Sequence, residues 1–421
     1  MNPVFEAVDA AIAWEAARRG PPPNFPALPE IPGGRYTRED FFALEKQHVW
    51  SSSWVCAGTE EGLKVSGDYR VFDKLSAPLL LVRDRDLTLH AFYNTCRHRG
   101  APVVRSACGR ATLLRCQYHS WTYALDGRLV AVPDERDFTK LDKSTRGLLE
   151  VRCETWGGLV FINEDKNAMP LADYLGPLVK ELSCVGMDRL RTIEHRSYII
   201  NCNWKAAVDA FLEVYHLNTI HPTNAGVMLD SQAAAMGLMR HGHSRMATRK
   251  NMAQGLNFVE FEGAPDIETM PDFFDRNNVA YTVFPNLVIP VEPTGFPVLL
   301  FWPRGLRETE MEAIYIAPDW GEGERPAFWD RFLPLFDSVL KEDMMNLAPI
   351  QKSLDSGAFT GMMINYQERR IYWLHEEIDR RIGAKRLPAG LAVGQLLESH
   401  IESPPEESTS AGSAGEERRT A

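Results

Sequence analysis

Residues 96–121, CRHRGAPVVRSACGRATLLRCQYHSW, carry a Cys-x-His pair (Cys96, His98) and, after seventeen intervening residues, a Cys-x-x-His pair (Cys116, His119). Each pair brings one thiolate and one imidazole onto a short loop. Two thiolates can hold one iron of a two-iron cluster and two neutral imidazoles the other. That exchange of ligands lifts the reduction potential well above that of an all-cysteine ferredoxin. A structural zinc site could use the same four residues, although zinc spacings usually group cysteines with cysteines and histidines with histidines. A third reading makes Cys96 and Cys116 packing residues and leaves the histidines at the surface. The order Cys-His then Cys-His, on two loops that interrupt β-type sequence, favours the cluster. Cys56, Cys108, Cys153, Cys184 and Cys202 lack such partners and read as core or inert thiols.

Around these loops, from Trp54 to about Asn163, short β-type runs (SWVCAG, YRVFD, PLLLVR, TLHAFYN, SWTYAL, GGLVFIN) are punctuated by Gly, Asp, Pro and Asn. They predict a small all-β unit over 51–165. Ahead of it, residues 1–50 hold an amphipathic helix stopped by PPPNFPALPEIP and a second helical pattern near Tyr36, with Thr37 as a candidate N-cap. This segment is expected to pack on the second domain, 166–395, which mixes α and β. There a strand, TIEHRSYIINC, leads into a helix, NWKAAVDAFLEVYH. Strand-like runs follow at 279–284, 287–291, 297–303 and 310–317, then helical runs near 325–348 and 366–382. The tail, 396–421, is low in complexity and is expected to be disordered. The fold class is α+β.

Composition narrows the function. The chain has 421 residues, 44% hydrophobic and 24% charged, enough to build sizeable cores. A net charge of −11, without a dense Lys/Arg stripe, argues against nucleic acid as a partner. No apolar run approaches the roughly 20 residues a membrane helix needs, and the first residues do not read as a secretory leader. A cytoplasmic location is the expectation.

A second constellation lies in NWKAAVDAFLEVYHLNTIHP, residues 203–222. On a helix, Trp204, Val208, Phe211, Leu212 and Tyr215 share one stripe. Asp209, Glu213 and His216 fall within about 60° of each other on another. His221 follows just before a proline. Two imidazoles plus a distant carboxylate would make a facial triad for non-haem Fe(II). The plain alternative is a solvated polar face with two incidental histidines. For the carboxylate, Asp343 shares a helical stripe with Phe332, Phe336, Leu340, Leu347 and Ile350, whereas Glu342 points about 100° away and is read as solvated. A carboxylate on the apolar side of a buried helix is costly unless paired or bound to metal.

Together the two constellations resemble the catalytic α subunit of Rieske non-haem iron oxygenases of the aromatic-ring-hydroxylating type. CRHRG and CQYHSW look like the Rieske signature, with Gly100, Tyr118 and Trp121 where that family carries similar residues. The resemblance implies a small β domain carrying a 2Fe–2S cluster on Cys96, His98, Cys116 and His119. It also implies a helix-grip (START-like) catalytic domain with an antiparallel sheet, and mononuclear Fe(II) on His216, His221 and Asp343. It puts Glu213 where a carboxylate bridges the two metal centres across a ring-shaped trimer, with Asp209 behind the ligands. Glu rather than Asp at the bridging position occurs in some members that act on quaternary amines.

No G-x-G-x-x-G follows a strand and no plant-type C-x4-C-x2-C is present, so nicotinamide and flavin have no obvious seat. Electrons are expected from a separate NAD(P)H-dependent reductase, with or without a ferredoxin, and a β subunit is left open. The expected reaction is mono- or dihydroxylation or oxidative demethylation of an organic substrate, an apolar aromatic or polycyclic one, with a quaternary amine as the alternative. A rival of another class is an electron carrier fused to a non-catalytic ligand-binding domain. His241 and His243 in RHGHSR read as alternating on one face of a strand and could line a pocket or be structural, and GVMLDSQAAAMGLM could wall it.

Overall fold

The computed structural model describes residues 3–251, 263 and 265–402. Two seven-stranded antiparallel sheets organise it. The first runs, in spatial order, Val55–Thr59, Leu159–Asn163, Glu150–Trp156, Leu89–Tyr93, Leu79–Arg83, Asp68–Phe72, Cys108–Arg110. Beside it lies a three-stranded sheet, Leu114–Arg115, Thr122–Tyr123, Leu129–Ala131, and the two cysteine–histidine loops flank this small sheet. Tyr69, Leu80, Val82, Phe92, Tyr123 and Leu129 form a core separate from the rest of the molecule.

The second sheet runs Leu190–Ile200, Glu308–Pro318, Phe296–Gly305, Leu287–Val291, Asn277–Val283, Ser244–Lys250, Leu229–Leu238. Strand Glu308–Pro318 is buried from Thr309 to Ala317 on both faces; 313–317 reads as an unbroken apolar run, whereas the buried Glu310 and Glu312 are paired with Lys74 and His195. The sheet grips the helix Phe328–Leu354, whose Phe328, Phe332, Leu340, Asp343, Leu347 and Leu354 are buried at helical spacing. Phe328 and Phe332 stack at 5.2 Å, and Phe336 meets Tyr315 edge-on at 5.8 Å. The helix continues past Pro349, which costs one backbone hydrogen bond. Gln351 then takes the buried position assigned above to Ile350, accepting from the Asn203 backbone at 2.8 Å, and Ile350 is exposed.

Two expectations near the termini are corrected. Thr37 is not an N-cap; it ends a short turn, Gly34–Thr37, and the next helix is Glu39–Glu45. Asp40 instead accepts the Phe41 N–H and pairs with Arg38. Residues 396–402, assigned above to a disordered tail, are packed in place. Leu397 is buried, Ile401 bridges Leu238, and Glu402 pairs with Arg245 at 2.6 Å. Residues 403–421 lie outside the described residues. Among the described residues no helix is long and apolar enough to cross a membrane.

The N-terminal segment joins this second unit through buried charge. Phe5 of helix Pro3–Ala17 stacks on Phe273 at 4.8 Å. Lys205 Nζ and Glu45 Oε1 pair at 2.7 Å, both fully buried, and Trp204 Nε1 donates to the other Glu45 oxygen at 3.2 Å. Arg35 pairs with Asp379 of helix Arg369–Ile382 at 2.7 Å. Removing one member of a buried ion pair strands the other charge in a low dielectric. Lys205→Met should therefore lower unfolding stability in urea by roughly 3–5 kcal/mol, whereas Lys205→Met with Glu45→Leu should recover most of that loss. Equal losses in the single and double variants would contradict this account of the pair.

Candidate metal centres

Both cysteine–histidine loops are tight turns built on their own backbone. The Cys96 N–H donates to Ala101 O and the Gly100 N–H to Cys96 O; the Cys116 N–H donates to Trp121 O and the Ser120 N–H to Cys116 O. Gly100 (φ 77°) and Ser120 (φ 58°) sit in the left-handed region that closes such loops. The result puts both thiols inside and both imidazoles at the rim. Cys96 and Cys116 are buried, while His98 and His119 are half-buried with ring centroids 4.6 Å apart. Trp121 stacks on His98 at 4.9 Å, which fixes its ring plane. Tyr123, which the sequence did not single out, brings its hydroxyl to 3.3 Å from Cys96 Sγ while accepting the Arg97 N–H. Two inner sulfurs and two outer nitrogens would suit a two-iron cluster held by two thiolates and two imidazoles.

The second set assembles differently from the helical stripe. The helix is only Trp204–Asp209, N-capped by the Asn203 side chain, and the chain then turns before the short helix Leu217–Ile220. Beyond that end the Glu213 carboxylate accepts the Tyr215 and His216 N–H groups, which a continuing helix would have bonded to its own carbonyls. Tyr215 consequently leaves the apolar stripe and is 70% exposed. Asp209 is separated from His216 and accepts from the Tyr36 hydroxyl at 2.7 Å instead.

The turn nevertheless aims His216 and His221 at Asp343 on the long helix. His221 Nε2 lies 2.9 Å and His216 Nε2 3.4 Å from Asp343 Oδ1, and one ligand atom from each of the three falls within 4.8 Å of the others. Each far nitrogen is held by a second carboxylate. His216 Nδ1 meets Glu213 Oε1 at 2.5 Å, and His221 Nδ1 meets Glu342 Oε2 at 2.7 Å. The reading of Glu342 as a solvated neighbour is thus wrong. It also accepts from Asn224 Nδ2 at 2.8 Å, because the 217–226 turn folds over the helix edge. Only its position beside Asp343 could have hinted at this; its partners lie more than a hundred residues away in sequence.

Electrostatics fit a cation here. Burial works against a charged His216, yet hydrogen bonds with Asp343 and Glu213 outweigh it and push that imidazole up to about 10. Burial would raise Asp343, but its bonds to His216 and His221 hold it below the ordinary carboxylate range. The potential at the two Nε2 atoms is therefore strongly negative. Two imidazoles, one carboxylate and orienting carboxylates behind the rings suit a divalent iron.

A cavity of about 310 Å³ opens one helical turn away, between sheet and long helix. Asn224, Val339, Phe336, Phe332, Phe296 and Met228 are among its lining residues, with Lys250 and Glu292 paired at its polar part. Of the Met/Ala stretch, Met228 and Leu229 line the cavity, with Ala225 just ahead of it, while Ala233–Met239 pack as core. His241 and His243 do not lie on a strand; Arg240–Gly242 is a turn. His243 bonds the Tyr174 carbonyl and the Phe284 N–H at 2.9 and 3.0 Å, burial pushes it down to about 3, and it is structural.

Comparison with known proteins agrees with both centres. Residues 187–384 match the ring hydroxylating alpha subunit catalytic domain, and residues 53–145 match the Rieske 2Fe–2S domain. The chain is 34% identical over 207 residues to the carnitine monooxygenase oxygenase subunit of Escherichia coli K12 (48% of this chain, 55% of the relative). It is 36% identical over 192 residues to the benzene 1,2-dioxygenase subunit alpha of Pseudomonas putida (44% and 42%). These alignments span about half the length of those relatives. The 2-aminobenzenesulfonate 2,3-dioxygenase subunit alpha of an Alcaligenes species aligns at 28% over 346 residues (77% and 84%). The same fold occurs in a quaternary ammonium Rieske monooxygenase solved with L-carnitine, at TM-score 0.71 and 22% identity (86% and 99% of the chains). It recurs in naphthalene 1,2-dioxygenase from a Rhodococcus species, at TM-score 0.70 and 23% identity (91% and 98%). The chain thus carries a Rieske domain ahead of a ring-hydroxylating α-subunit catalytic domain. The Rieske domain is a 2Fe–2S module, and the catalytic domain is of the kind that binds mononuclear non-haem iron.

Orienting partners of metal-bound histidines typically contribute roughly 10–100-fold in metal affinity. Glu342→Ala should weaken retention of mononuclear iron in dialysis against chelator by about that factor while leaving the visible absorption of the cluster unchanged. Tyr123→Phe should do the opposite: keep all iron and lower the cluster potential, since a hydrogen bond to a cluster sulfur stabilises the reduced state.

Proposed function

We propose that this chain is the terminal oxygenase component of a multicomponent system that uses O2 and NAD(P)H-derived electrons to hydroxylate or oxidatively demethylate an organic substrate. In this reading Cys96, His98, Cys116 and His119 hold the cluster, and His216, His221 and Asp343 hold the mononuclear iron. When bound, the cluster supplies single electrons and the mononuclear iron a site for activating O2. The protein's own part is orientation and exclusion. Glu213 and Glu342 keep both Nε2 atoms directed at Asp343, and the apolar walls shed water from the substrate. The observation that carries the proposal is this braced two-imidazole, one-carboxylate set beside a cavity, in a chain that also presents two Cys/His loops.

The aromatic lining from Phe296, Phe332 and Phe336 supports an apolar aromatic or polycyclic substrate. A quaternary amine is the second reading, favoured by the carnitine monooxygenase relative and by Glu213 at the bridging position. The electron donor is a separate reductase, with or without a ferredoxin. Exposed apolar side chains flank both centres: Tyr118 (53%) beside His119, and Tyr215 and Met345 (75%) beside His216 and Asp343. Such dissimilar patches suit a head-to-tail ring, the trimer in which Glu213 would meet His119 of a neighbouring copy.

Reconstitution with a reductase, NADH and a panel of neutral aromatics, polycyclics and quaternary amines tests the function, scored as O2 uptake coupled to product. Iron analysis separates the rival: three irons per chain for the oxygenase and two for an electron carrier fused to a ligand-binding domain. Cys96→Ser or His119→Ala should abolish the visible absorption, whereas His216→Ala should spare it and remove the third iron. Glu213→Gln should keep both metals and the oligomer yet slow cluster reoxidation by O2 and substrate by orders of magnitude. Normal reoxidation in a fully metallated Glu213→Gln protein would remove the bridging role.

A further inference from the structure

Beneath the ligand turn runs a line of buried side chains that metal binding does not use. Arg35 Nε donates to His375 Nδ1 at 2.9 Å, with Nη1 on Asp379 Oδ1 at 2.7 Å and Nη2 on the His375 carbonyl at 3.1 Å. A guanidinium is always a donor. His375 Nδ1 must therefore be the bare acceptor nitrogen, and the ring hydrogen sits on Nε2. Nε2 is 2.8 Å from the Tyr36 hydroxyl, so the imidazole donates there, and the hydroxyl donates onward to Asp209 Oδ2 at 2.7 Å. Burial, then the charges of Arg35 and Lys205, keep His375 from taking a second proton. Three hydrogen bonds thus point one way, from a fixed positive charge to one oxygen of a carboxylate.

The other oxygen has nothing on it. Asp209 Oδ1 is buried and has no hydrogen-bond partner among the described residues. The nearby ammonium, Lys205, is already paired with Glu45. A buried carboxylate with a single donor is costly as an anion and gains by taking a proton. Burial indeed pushes Asp209 up to about 7; Tyr36 and Lys205 oppose that shift, and the charges of Glu213 and Glu368 add to it. Glu368, half-buried at the start of helix Arg369–Ile382, lies within electrostatic reach of both Asp209 and Glu213. Cys202, held neutral by burial, also faces this carboxyl. Asp209 makes no hydrogen bond with His216, His221 or Asp343 and is not one of the three converging ligands.

We propose that Asp209 is a redox-linked proton acceptor: an electron entering the iron centres draws one proton from solvent onto Oδ1, the oxygen that the Arg35–His375–Tyr36 chain leaves open. This rests on the oxygenase reading for its electron source. The balance is simple: the reduced protein partner gives one electron, solvent gives one proton, one O–H bond forms, and the interior gains no net charge. Negative charge added near a buried carboxylate raises its proton affinity. Hydroxylation of a C–H bond by O2 and two electrons consumes two protons, so a proton stored at Asp209 is one the reaction requires. Tyr36 and His375 are positioning residues in this scheme.

The test is a proton count on the holoprotein, without O2 or substrate. Iron-replete protein is reduced electrochemically in weak buffer, and proton uptake per chain is read with an indicator from about pH 6 to about pH 8, bracketing the Asp209 value near 7. Asp209→Asn, whose amide oxygen still accepts from Tyr36, should take up fewer protons, by at most about one per chain, near pH 7. Tyr36→Phe strips the ionised Asp209 of its donor, which raises its proton affinity, so the uptake band should move to higher pH. Protons exchanged by groups other than Asp209 are common to wild type and Asp209→Asn and cancel in the difference. Equal uptake by wild type and Asp209→Asn across the range overturns the proposal. Should that variant lose iron, an unmoved band in Tyr36→Phe overturns it instead. A chain that shows the difference but oxidises no compound keeps this inference and loses the oxygenase reading; turnover without any difference in proton count does the reverse.

Discussion

Each of the two imidazoles at the candidate mononuclear centre is fixed from behind by a carboxylate, and the rest of the site follows from that pairing. Glu213 takes His216 Nδ1 and Glu342 takes His221 Nδ1, leaving both Nε2 atoms facing Asp343. Without these bonds the rings could rotate, and the negative potential at their common point would be weaker. Glu213 does a second thing with the same carboxylate. By accepting the Tyr215 and His216 N–H groups it holds the turn that follows the helix Trp204–Asp209, and that turn carries His216 toward the long helix.

The turn needs a floor, which comes from outside the catalytic sheet. The N-terminal segment contributes Arg35, Tyr36 and Glu45, each buried and each bound to the helix Trp204–Asp209 or to the helix Arg369–Ile382. Buried polar groups are expensive unless partnered, so these bonds set the register between three elements distant in sequence. Asp209 Oδ1, a buried oxygen of that network with no hydrogen-bond partner among the described residues, is therefore conspicuous as a place for a proton. The cavity is shaped by the same long helix, since Phe332, Phe336 and Val339 lie just ahead of Glu342 and Asp343. The walls of the candidate substrate cavity and one candidate metal ligand thus share one helix.

Much of this was legible in the sequence. Cys96, His98, Cys116 and His119 stood out by spacing as candidate cluster ligands, because each pair sits on one loop. The strands from 277 to 318 and the two long C-terminal helices were visible in their periodicity, and His216 and His221 announced a site by proximity. Asp343 was reachable because a carboxylate on an apolar helical face must be paired or metal-bound to offset the cost of its burial. What periodicity could not supply was everything decided by a partner far along the chain. Glu342 looked solvated because a helical wheel knows nothing of the turn that covers it. The helix through His216 was over-extended because side-chain competition for backbone donors is invisible to a hydrophobic pattern. The pairing of Tyr36 with Asp209 and His375 spans 173 and 339 residues. Metal-binding loops are local objects and can be read from a string of residues; bracing carboxylates and buried hydrogen-bond chains exist only once the sheet, the helices and the N-terminal segment have closed on each other.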